Sequence, residues 1–133
     1  MVLDLNRIVI YADSKGQLHD RPVRRLFNVV DGIIGGEGNG PLDPTPKPAG
    51  VIIAGVNPVA VDLACIRLMG FDYRKIPLVF NALNQHQYNI SPGKYEDIQC
   101  ISSNEAYNCP LIQIDGLGFE FQPHFGWKGH IEL

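Results

Sequence analysis

The chain has 133 residues, a net charge of -3, and 45% hydrophobic against 19% charged residues. That balance fits one folded domain with its own core and excludes a disordered chain. It leaves no basic face for nucleic acid, and no apolar run approaches the ~18 residues of a membrane span. The start, MVLDLNRIVIY, lacks the basic and small-residue regions of a secretory signal, so the cytoplasm is the expected compartment.

In chain order, Leu5, Ile8, Val9 and Ala12 fall at helical spacing, although the β-branched run Ile8-Val9-Ile10 also suits a strand; a helix is favoured. Asp13 to Gly16 is turn chemistry. Leu26 to Asp31 reads as a buried strand. Gly35 to Gly50 holds nine Gly or Pro residues in sixteen and reads as an ordered loop, polyproline-like over Pro44 to Pro48. Gly50 to Val56 is a short, continuously apolar strand, the signature of a parallel sheet covered by helices. Asn57 is a good N-cap and Pro58 a good first-turn residue for a helix over Val59 to Met69 that Gly70 can end. An aspartate at position 57 would cap equally well. A second helix is expected within Lys75 to Leu83, a loop over Asn84 to Lys94, and strands at Ile98 to Ser102 and Leu111 to Ile114. Asp115-Gly116 then reads as a turn, ahead of a tail carrying Phe119, Phe121, Phe125 and Trp127. The fold class is α/β: a parallel or mixed sheet with flanking helices, and the Gly-rich loop at the carboxyl edge of the strands.

Ligands in open α/β sheets bind beyond the carboxyl ends of the strands. With adjacent parallel strands, Asp31, Glu37, Asn39, Asn57 and Asp62 would converge there. Gly36 and Gly38 let backbone approach a ligand, and successive N–H groups could form an anion nest. The loop has neither the Gly-Lys-Ser/Thr ending of a P-loop nor a GxGxxG turn. Glu37 would repel bare phosphate, so a metal or metal–phosphate pair fits better. Asp31, Glu37 and Asp62 offer hard oxygen ligands for a divalent ion such as Mg²⁺ or Mn²⁺. Asp62 has only Pro58, Val59, Cys65 and Ile66 at helical pairing distance, none a cation. It either binds something or meets Arg24, Arg25 or a backbone N–H. The four histidines show no ligand spacing, and no GxSxG elbow marks a nucleophilic serine. Cys65, Cys100 and Cys109 form no CxxC pair, so no iron–sulfur motif stands in this chain, and free or buried thiols are expected.

The run from Val29 to Pro41 (VVDGIIGGEGNGP), with GVIIAG at Gly50 to Gly55, NPVAVD at Asn57 to Asp62 and LMGF at Leu68 to Phe71, resembles the domain-of-unknown-function 362 family. The resemblance covers about residues 1 to 83, with Asn57 where many relatives carry aspartate. The closing GWKGH at Gly126 to His130 looks familiar as well. Relatives are longer and some carry ferredoxin-type cysteine motifs, absent here. The resemblance therefore implies that residues 1–133 form a single domain, the C-terminal half of a longer family domain. Such a half would leave apolar surface uncovered and self-associate as a homodimer or pair with its N-terminal half. The expected function is a ligand-binding domain, with or without catalysis, holding a divalent metal or anionic metabolite at the acidic Gly-rich loop. The alternative is a non-catalytic module that docks a partner polypeptide or serves a redox partner.

Overall fold

The computed structural model describes residues 1–114 and 118–133, so the expected Asp115-Gly116 turn lies outside the described residues. Among the described residues, three α-helices, α1 (Val2–Tyr11), α2 (Pro58–Leu68) and α3 (Pro77–Ala82), accompany two strands, β1 (Asn28–Asn39) and β2 (Asp43–Gly55). The mixed α/β class holds. The sheet, however, is two-stranded and antiparallel where a parallel or mixed sheet was expected. The reason is the length of the connection. The Gly- and Pro-rich residues are themselves extended, so only Gly40, Pro41 and Leu42 separate the strands. A parallel crossover needs a dozen residues or more, and three allow only a hairpin.

The expected loop is thus the outer half of that hairpin. Gly35, Gly36, Glu37, Gly38 and Asn39 pair with Lys47, Pro46, Thr45, Pro44 and Asp43. A proline cannot donate to a ladder, but at every second position it leaves the intervening residues free to do so. Pro44, Pro46 and Pro48 therefore turn their donorless nitrogens to the edge of β2 away from β1. Glycine at position 36, opposite Pro46, is a packing requirement: a Cβ there would lie 3.0 Å from Cβ of Pro44, the next proline along β2. Beyond an irregularity between Gly32 and Ile34, the ladder resumes from Gly32 against Val51 to Asn28 against Gly55.

Around α2 the sequence reading is met closely. The Asn57 side chain accepts from the Ala60 N–H at 3.0 Å. Gly70 adopts φ +80, and the Gly70 and Phe71 N–H groups donate to the carbonyls of Arg67 and Ile66. That is the pair of backbone hydrogen bonds of a Schellman ending. The core gathers on the helical side, with Leu63 and Leu111 fully buried among Tyr11, Val59, Val79, Ile90 and Tyr95. A smaller cluster of Phe71, Phe121 and Ile131 ties the C-terminal segment to the end of α2. The expected strands at Ile98 to Ser102 and Leu111 to Ile114 do not form. The first makes one bridge, Gln99 with Pro110 just ahead of the second, and Leu111–Gln113 is a 3-10 turn. Pro110 supplies no N–H to extend that ladder.

Candidate functional site

The hairpin scatters the carboxylates that parallel strands would have gathered. Asp31 lies opposite Ile52 in mid-strand, and its carboxylate accepts from the Ile33 N–H at 3.1 Å, supporting the ladder irregularity. Glu37 lies six residues further along, roughly 20 Å at strand rise. There it accepts from the Gln122 N–H at 2.9 Å and stands 3.7 Å from the Lys47 ammonium. The Gly38 N–H donates to the Gln122 carbonyl at 2.8 Å, and Gly38 adopts φ +75. Glu37 and Gly38 thus clamp the C-terminal segment, with the Lys47 ammonium 5.8 Å from the centre of the Phe121 ring. Gly36 packs on proline, and Asn39 ends the ladder exposed.

Asp62 projects elsewhere, at the rim of a crevice of about 30 Å³ between the helices, beside Val2, Leu3, Leu78 and Val79. The residue keeps an exposed edge, yet the apolar surroundings thin the water around its carboxyl and push its pKa up. Asn57, half-buried, spends both ends of its amide: besides capping α2 it donates to the Ile90 carbonyl at 3.0 Å. Of the predicted site residues, only the neighbours Glu37 and Gly38 act together, as a clamp. Among the described residues, no three His, Cys, Asp or Glu side chains group closely enough to hold a metal ion.

A different feature stands at the carboxyl end of β2. A groove of about 300 Å³ runs between β2 and a second run of chain. One wall is the unbroken run Val51 to Val56, and the other the unbroken run Ile98 to Ser102. Consecutive residues on a wall mean that a backbone edge borders the groove, since a side-chain face would contribute alternate positions only. No β1 residue lines it, so the bordering edge of β2 is the one away from its partner. Ala60, Ala64 and Leu68, at i, i+4 and i+8 on one face of α2, form the floor. The two alanines keep it low. Ile52, Val56 and Ile101 stand at the rim 66%, 75% and 95% exposed, large apolar side chains left in water. Asn57, Gln99, Ser102 and Tyr107 provide the polar groups.

Sequence reasoning singled out Asn57 but missed the rest of this groove. The available signal was the alternation Pro44-x-Pro46-x-Pro48. It marks an edge of β2 closed to pairing in its first half and, from Val51 onward, open.

Residues 1–67 match the model of the family described as Domain of unknown function (DUF362). That match spans both strands, one wall of the groove and nearly all of its helical floor. No curated protein and no solved structure gives a significant match.

Proposed function

The chain belongs to the DUF362 family, and from that premise we propose that it is a docking module that receives an extended segment of another polypeptide along the free edge of β2. The observation that carries the reading is the groove bounded by two unbroken backbone runs over a floor of small residues. Such a space suits a strand, because main-chain hydrogen bonds to an open edge supply affinity and alternate side chains find pockets. The prolines restrict where pairing can begin, as edge prolines do in natural sheets. The occupant has apolar side chains at alternate positions, to cover Ile52, Val56 and Ile101, and needs no net charge.

The probe is a soluble heptapeptide, Lys-Val-Thr-Val-Thr-Val-Lys with blocked ends, titrated by calorimetry beside a copy methylated on alternate amide nitrogens. The unmodified peptide is expected to bind and the methylated copy to lose at least tenfold. Equal binding of both, or binding of neither, contradicts the proposal. Ala64→Phe, which raises the floor, should weaken the unmodified peptide. The acidic-site reading, a divalent ion or anionic metabolite at Asp31 and Glu37, predicts something else. Mg²⁺ or Mn²⁺ would raise the melting temperature of the wild type and not of Asp31→Asn, and that pattern with no peptide binding would favour it over docking.

A further inference from the structure

We propose that Cys100 and Cys109 form a reversible dithiol–disulfide pair that closes the loop between them. Gln99 and Pro110 face each other in an antiparallel bridge, flanked by the Leu111 N–H donating to the Ile98 carbonyl at 2.9 Å and the Cys100 N–H donating to the Cys109 carbonyl at 3.1 Å. One step inward along such a bridge, Cys100 and Cys109 stand directly opposite. One backbone hydrogen bond joins them, and opposed residues that exchange both such bonds have Cα atoms about 5.5 Å apart. That lies inside the window a disulfide spans without moving the backbone. Side chains at opposed positions project to the same face, so the two sulfurs are neighbours.

The loop is already folded for closure. The Asn104 side chain accepts from the Ala106 N–H at 3.1 Å, Ser102 accepts from the Asn104 N–H, and a 3-10 turn spans Glu105–Tyr107. Its ends need no further ordering to meet. Both cysteines are free thiols and both keep part of their surface in contact with water, so a small oxidant can reach them. Burial pushes the Cys100 thiol up, and the Cys109 thiol beside it pushes in the same direction. Exchange should therefore quicken as pH rises, because the thiolate is the attacking species. Cys65 lies on α2, outside this bridge.

The co-reactant is a low-molecular-weight disulfide such as oxidised glutathione. One protein thiolate attacks it, expels one glutathione as thiol and leaves a mixed disulfide on the protein. The second protein thiolate attacks the protein sulfur of that bond and expels the second glutathione. Two protein thiols each give up a proton and are oxidised together by two electrons, while the glutathione disulfide is reduced to two thiols. The product fixes the Ile98 to Ser102 segment to the strip ending at Leu111.

The test treats the chain with oxidised glutathione, blocks remaining thiols with N-ethylmaleimide, and maps non-reduced peptides by mass spectrometry. The expected product carries a single N-ethylmaleimide, on Cys65, and lacks two hydrogens where Cys100 is joined to Cys109, a bond that dithiothreitol reverses. Cys100→Ser and Cys109→Ser should each stop at the glutathione adduct, while Cys65→Ser should behave as wild type. A wild-type adduct that never resolves, a bond that includes Cys65, or a bond between two chains would overturn the proposal.

Discussion

Asn57 shows how one residue can be read correctly by type and incompletely by role. The sequence identifies it as a helix cap, and the cap is there. The second bond, from its amide to the Ile90 carbonyl, joins residues 33 apart and has no local signature. It changes what substitution should do. Asn57→Ala should cost about 1 kcal/mol for the cap and a further ~1 kcal/mol for the lost bond. Asn57→Asp keeps the cap but turns a carboxylate oxygen toward a carbonyl, and should cost roughly 1–3 kcal/mol. Chemical denaturation of the three proteins checks this order. Two aspartates give opposite pH signatures. Asp72 is buried and takes three hydrogen bonds from Arg74, which hold its carboxyl below the usual range. Its contribution is present at neutral pH and lost as pH falls through the folded-state pKa, so wild type should outlast Asp72→Asn at pH 7 and match it in strong acid. Asp62 is shifted up, so ionising it costs stability. Asp62→Asn should melt above wild type at pH 7, with the difference fading on acidification.

At the scale of elements, α1, α2 and the site of α3 were legible because apolar spacing and end signals are local. The hairpin was not. Gly and Pro over sixteen residues read as loop because each weakens a sheet interior, yet each suits an edge strand when alternation keeps nitrogen and close approach on the proper sides. Gly35 illustrates the constraint. A Cβ there would lie 2.8 Å from two ring carbons of Phe121, so the ring would have to leave the C-terminal cluster. Gly35→Val should cost roughly 1–3 kcal/mol through this overpacking. Glu37→Ala should act on the same junction more gently, leaving the Gln122 N–H without its acceptor. Hydrogen exchange at Gln122 should accelerate in that variant, while amides within α2 stay as slow as in wild type.

For the whole molecule, the core lies under the helices, and β2 carries an edge that no other described strand covers. Ile52, Val56 and Ile101 border that edge in water. No helix among the described residues is long and apolar enough to cross a membrane. Periodicity could not have found the groove, because its far wall, Ile98 to Ser102, is brought beside β2 only by tertiary packing. The carboxylate site was inferred from sequence proximity under an assumed parallel pairing, and the antiparallel hairpin set by a three-residue turn does not bring Asp31, Glu37 and Asp62 together. The central claim is that the edge of β2 from Val51 to Gly55 accepts a strand. Residue-resolved amide exchange, with and without the alternating heptapeptide, reads that edge directly. New protection is expected only at amides of Val51 to Val56 and of the facing Ile98 to Ser102 run, with β1 unchanged. Protection appearing along β1 instead, or nowhere at peptide saturation, would contradict it.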